Sequence, residues 1–137
     1  MARLQYAILG EFARVGPDGL ATIVGAGFDR ISVPALPAQH LIGFALRVLL
    51  EQNEKDATVA VTLRPPSGYQ LGFESSLTVA PDARPYQGHF GVPLAVNLTA
   101  PLTVEGLYRL SVAVNGEEQQ ELTFEVEVQQ PTQRASN

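Results

Sequence analysis

The sequence predicts an all-β fold, an antiparallel immunoglobulin-like β-sandwich of about eight strands. Three observations carry that expectation. Apolar and polar residues alternate at period two along almost the whole chain, the pattern of strands that bury one face. Turn-forming groups recur about every ten residues, among them Gly16-Pro17-Asp18-Gly19, Pro65-Pro66-Ser67-Gly68 and Asn115-Gly116. Neither a βαβ alternation nor a long internal repeat is visible, which argues against a parallel α/β sheet and against a solenoid.

In chain order, residues 3–15 and 20–25 flank the first turn and read as a hairpin. Gly25 and Gly27 follow, marking a bulge or a close backbone approach where a strand changes direction. Residues 40–51 admit two readings. Ile42, Phe44, Leu46, Val48 and Leu50 fit a strand, whereas Leu41, Phe44, Ala45, Val48 and Leu49 fit a helical stripe. Pro34 and Pro37 before it and the polar run 52–56 after it bound the segment at strand-like length, so strand is preferred. Its second face then carries Leu41, Ala45 and Leu49, which is too apolar for open water.

Val59, Val61 and Leu63 alternate with polar or small neighbours until Pro65 and Pro66 end the strand. Tyr69, Leu71, Phe73, Leu77 and Val79 share one parity, with Ser75 the polar exception. Val92, Leu94, Val96 and Leu98 form a further strand, and Pro93 places it at an edge or a bulge. The string Glu105-Gly106-Leu107-Tyr108 fits the corner at which immunoglobulin-like sandwiches set a tyrosine early in the second-to-last strand. The last two strands are the clearest. Tyr108, Leu110, Val112 and Val114 precede Asn115-Gly116, and Leu122, Phe124, Val126 and Val128 follow it in alternation with Glu121, Thr123, Glu125 and Glu127. Asn-Gly accepts the positive φ angles of a two-residue hairpin, so these strands should pair antiparallel. One domain over 1–129 with a polar C-terminal tail over 130–137 is the expected organisation.

Composition excludes whole classes of chemistry. The 137 residues contain no cysteine, which removes disulfide scaffolds, thiolate zinc sites, iron–sulfur clusters and thiol nucleophiles. A formal charge of −5 argues against nucleic acid as a partner. Residues 65–137 carry three basic and eight acidic groups, and five glutamates fall between Glu117 and Glu127. Such a run is a solvated strand face or a surface for a basic partner. No secretory signal is visible, and the most apolar run, 41–50, contains Gly43 and Arg47 and is about half the length of a membrane span. A cytoplasmic protein of a bacterium, without membrane insertion, is therefore expected.

No catalytic, metal or cofactor site assembles from the motifs. Gly25-Ala26-Gly27-Phe28-Asp29-Arg30 begins like a dinucleotide loop, but its sixth position is Arg and no helix follows. His40 and His89 lack spaced partners, and Ser67, Ser75 and Ser76 lack a local base. Glu121, Glu125 and Glu127 have the separation of a carboxylate pair, with nothing to indicate a cleft. Asp29 and Arg30 are either a structural ion pair that fixes the turn after Phe28 or a ligand contact. Arg14, Arg47, Arg64 and Arg109 fall opposite the apolar parity of their strands, lying over neighbouring surface or crossing an interface.

The stretch from Leu4 to Ile31, LQYAILGEFARVGPDGLATIVGAGFDRI, resembles the opening of a family of small, uncharacterised bacterial proteins classed as a domain of unknown function. Phe12-Ala13, Asp18-Gly19 and Ile23 to Ile31, with Pro34 and Pro37, carry the resemblance. It implies a compact β-sandwich and brings no activity, cofactor or site. The functional expectation is a non-enzymatic interaction or structural module that meets a protein partner or a second copy of itself through Leu41, Ala45 and Leu49. The alternative is a small-molecule-binding sandwich whose site lies near the turn from Gly25 to Arg30, with Asp29 and Arg30 as contacts.

Overall fold

The computed structural model describes residues 1–130, so the expected tail lies outside the described residues except for its first position. The described chain is all-β. Its ten strands are β1 (Arg3–Gly10), β2 (Phe12–Val15), β3 (Ala21–Val24), β4 (Arg30–Val33), β5 (Ala38–Glu51), β6 (Asp56–Arg64), β7 (Leu71–Thr78), β8 (His89–Leu102), β9 (Gly106–Val114) and β10 (Glu117–Val128). They form a three-stranded sheet in the order β1-β5-β8, a five-stranded sheet in the order β4-β10-β9-β6-β7, and the separate hairpin β2-β3. Among the described residues, no helix is long and apolar enough to cross a membrane.

The ambiguous segment is a strand. β5 buries Ile42, Phe44, Leu46, Val48 and Leu50 on one face, each at most 2% exposed. Each such side chain contributes about 1.5–3 kcal/mol relative to an exposed one. They join Val59, Val61 and Leu63 of β6, Leu110, Val112 and Val114 of β9, and Phe124 and Val126 of β10 in a single cluster, so the two larger sheets share one core. Pro93 and Pro101 lie on β8, an edge strand, and have the same parity. Their missing N–H groups therefore fall on the same side of the strand, the side without a ladder to break.

Two expectations need correction. Among the described residues the strands number ten rather than about eight, because the stretch 3–15 breaks at Glu11 and because 30–33 adds a strand. The break follows from close packing. A Cβ at Gly10 would stand 2.6 Å from Ile23 Cγ2 and 2.9 Å from the Val24 carbonyl, and only glycine lets the hairpin fold back there. The second correction concerns direction: β4 pairs with β10 in parallel, whereas the other pairings are antiparallel. With Ile31 and Val33 as its only apolar side chains, β4 has too short an alternation to be seen, and its partner lies about 95 residues along the chain.

Local chemistry explains the corners. Asn115 (φ 52°) and Gly116 (φ 84°) make the tight turn that joins β9 to β10. Tyr108 is fully buried, stacks on Phe124 at 5.4 Å between ring centroids, and donates its hydroxyl to the Val104 carbonyl at 2.7 Å. The same hydroxyl accepts from Thr103 N and Val104 N, both at 3.3 Å, and so ties β9 to the corner before it.

Candidate functional site

The outer face of the three-stranded sheet carries the features that remain after the core is accounted for. Parity places Leu41, Gly43, Ala45, Arg47 and Leu49 of β5 on that face. The β2-β3 hairpin lies across one half of it. A Cβ at Gly43 would stand 2.6 Å from Phe12 Cα and 2.7 Å from Ala13 N, so the glycine is what admits the hairpin backbone. Asn97 of β8 completes the dock by bonding both backbone groups of Ala13.

The expected contact residues are thereby separated. Ala45 is fully buried on the face the hairpin covers, Leu41 stays 49% exposed at one side of it, and Leu49 is half-buried at the other end. They do not form one open surface, because the chain covers its own apolar strand face. What remains exposed beside the hairpin is Ile8 of β1 together with Phe12, Leu20 and Val24 on the hairpin itself.

The turn from Gly25 to Arg30 is held by contacts within the chain. Gly25 (φ 65°) packs against the Glu11 side chain, and Gly27 N donates to Leu9 O at 2.8 Å, which closes the hairpin onto β1. Arg30 pairs with Glu125 at 3.1 Å and Glu127 at 3.4 Å rather than with Asp29, because the parallel register sets Arg30 opposite Glu125 and Ser32 opposite Glu127. The hydrogen bond that Arg30 donates to Glu125, then the charge of Glu127, hold the guanidinium above its ordinary pKa. Asp29 is exposed and uses its backbone carbonyl to accept from Glu125 N at 2.8 Å.

Beyond the hairpin the same sheet face becomes basic. A concavity of about 450 Å³ is formed by Arg3 and Gln5 of β1, Arg47 and Leu49 of β5, and the segment 86–91. Gln5 is the extra residue of a β-bulge between Leu4 and Tyr6, and its side chain accepts a hydrogen bond from Arg47 Nη1. The Arg47 guanidinium lies against Gly91, where any Cβ would overlap it. Tyr86 and His89 exchange backbone hydrogen bonds of 2.8 and 3.1 Å around Gln87 (φ 50°) and Gly88 (φ 82°), a tight turn that delivers both side chains to the rim. His89 Nδ1 stands 3.0 Å from the Gln87 carbonyl, which can only accept, so Nδ1 carries a proton. An adjoining hollow of about 220 Å³ shares Arg47 and His89 and adds Arg84. Among the described residues no carboxylate lines either hollow and Arg3, Arg47 and Arg84 form no ion pair; Glu51 of β5, opposite His89, is paired with the Met1 amino group.

Reading along the sequence misses this convergence. Arg47 is visible as a charge on the outward parity of β5, and Gln87-Gly88 is a turn signal, but only the order β1-β5-β8 brings Arg3 and His89 to the same end. No curated protein matches the chain. A solved structure of Pseudomonas fluorescens alkylpurine DNA glycosylase AlkC, bound to DNA containing an abasic site analog, aligns at 13% identity with a TM-score of 0.46, over 88% of this chain and 30% of that one. The chain thus spans less than a third of that glycosylase's length. Residues 5–127 match the family of unknown function DUF6941, and the chain belongs to that family.

Proposed function

We propose that this chain is a non-enzymatic, immunoglobulin-like β-sandwich module that acts by contact, pairing with a second copy of itself through the hairpin-bearing half of the three-stranded sheet. One observation carries the reading: among the described residues, five of the nine exposed large apolar side chains, Ile8, Phe12, Leu20, Val24 and Leu41, belong to the hairpin or to the sheet it lies on. Concentration of apolar surface in one place marks an association site. An apolar patch is its own complement, so a two-fold copy satisfies it without a second chemistry. The immunoglobulin-like assignment is supported by the Tyr108 hydroxyl bonded back to Val104 and by a last strand that lies between its hairpin partner and β4.

Multi-angle light scattering of the full chain tests the proposal. A dimer that persists in high salt and becomes a monomer in Phe12→Ser/Val24→Ser is the expected result, since apolar contact is insensitive to screening. A wild-type monomer into the high micromolar range overturns it. A dimer that dissolves in salt assigns association to the glutamate-rich half instead and also overturns this face.

A further inference from the structure

We propose that the concavity formed by Arg3, Arg47 and His89, with Arg84 in the adjoining hollow, binds a small organic molecule through an oxyanion group of two or more negative charges, such as a phosphate ester or a polycarboxylate. The charge pattern is the first argument. The chain carries −5 overall, yet three of its nine basic residues converge with a histidine where no carboxylate lines the surface. Glu51, the cross-strand partner of His89, is already paired with the Met1 amino group, so among the described residues the three arginines have no ion-pair partner, and a bound anion removes their mutual repulsion.

The second argument is that the central cation is held in place. Arg47 is half-buried, its Nη1 is engaged by Gln5, and its guanidinium rests on Gly91, so the fork is oriented before a ligand arrives. Guanidinium groups recognise phosphate and carboxylate oxygens through paired hydrogen bonds, and an oriented fork loses less entropy on doing so. Neutral donors complete the set: the amides of Gln5 and Gln87 and the Tyr86 hydroxyl line the same wall. The volume of about 450 Å³ lies within the range of metabolite sites and exceeds what a bare inorganic ion needs. Leu49 adds an apolar surface for the carbon skeleton. This site lies beyond the hairpin, and its occupancy does not depend on the chain pairing with a second copy.

The test is an NMR titration of the uniformly labelled full chain with inorganic phosphate, pyrophosphate and citrate, with chloride at matched ionic strength as the control. Saturable shifts at Gln5, Arg47, His89 and Gly91 with the multivalent anions, and none with chloride, are expected. Phosphate and pyrophosphate binding without citrate assigns a phosphate ester, and the reverse assigns a polycarboxylate. Arg47→Gln should weaken binding by about tenfold or more, the range for loss of a charge-assisted hydrogen bond. Arg14→Gln, a cation on the hairpin, should leave it unchanged. Shifts that track ionic strength alone, or equal affinity in Arg47→Gln with its fold confirmed by the same spectra, overturn the proposal.

Discussion

The side-chain amide of Asn97 binds both backbone groups of Ala13, with Nδ2 donating to the carbonyl at 2.8 Å and Oδ1 accepting from the amide at 2.9 Å. A side chain thus does what a neighbouring strand would do, and it holds a hairpin crosswise on a sheet where no ladder can reach. Ala13 is 1% exposed, so water cannot take over these bonds while the hairpin is docked.

Replacement of Asn97 by Asp keeps the shape and the acceptor but loses the donor, and sets a carboxylate against the Ala13 carbonyl. A buried group left unsatisfied costs about 1–3 kcal/mol. The hairpin should open locally rather than the whole fold melting, because the core cluster of the two larger sheets does not include Ala13. Native-state hydrogen exchange checks this: the Ala13 and Gly27 amides should exchange at least about tenfold faster, while Val112 and Leu110 in β9 stay protected.

Two glycines on the same sheet face should respond in opposite ways to alanine. At Gly43 the new Cβ meets main chain, Phe12 Cα and Ala13 N, which cannot swing aside, so Gly43→Ala should displace the hairpin and cost about 1–3 kcal/mol. At Gly91 it meets the far end of the Arg47 side chain, which can move. Gly91→Ala should therefore keep its melting temperature yet shift the Arg47 Nε–H resonance. Thermal melts paired with NMR spectra separate the two outcomes.

Most of the fold was legible because it depends on neighbours in sequence. The β9-β10 hairpin, the Tyr108 corner and the strand character of β5 all follow from period-two alternation and local turn chemistry. Three things were not legible, and each depends on residues far apart. β4 is four residues long and stabilised by a partner about 95 positions away. The hairpin covers Ala45 only because Gly43 and Asn97 meet it from two strands. The basic concavity needs β1, β5 and β8 side by side before its arginines share a wall. Alternation told which side of β5 was outward and could not tell what would lie on it.

Tyr108→Phe removes one hydroxyl that serves the Val104 carbonyl and the amides of Thr103 and Val104. The ring and its stacking on Phe124 remain, so the loss isolates the corner's hydrogen bonds. A cost of about 1–3 kcal/mol, seen as a melting temperature lower by several degrees, is expected. Tyr108→Ala should cost more, about 3–5 kcal/mol, since the core then also loses the ring.

Tyr69 gives the fold a dependence on alkaline pH. Its hydroxyl donates to the Pro101 carbonyl and so bridges the open side of the core, where β7 and β8 leave an apolar crevice between Leu71, Phe73 and Leu98. Burial, and to a lesser degree the charge of Tyr108, raise the Tyr69 pKa above its ordinary value of about 10. The folded state therefore keeps the proton where the unfolded chain has released it. Below the unfolded value both states are protonated and the group adds no slope. As pH rises through about 10 the unfolded state ionises first, and stability falls until the folded phenol ionises too. Denaturant melts from pH 8 to 11 should show that decline, and Tyr69→Phe should flatten it while lowering stability at pH 8 through loss of the bond to Pro101. An equal slope in wild type and Tyr69→Phe would show that this phenol is not the group responsible.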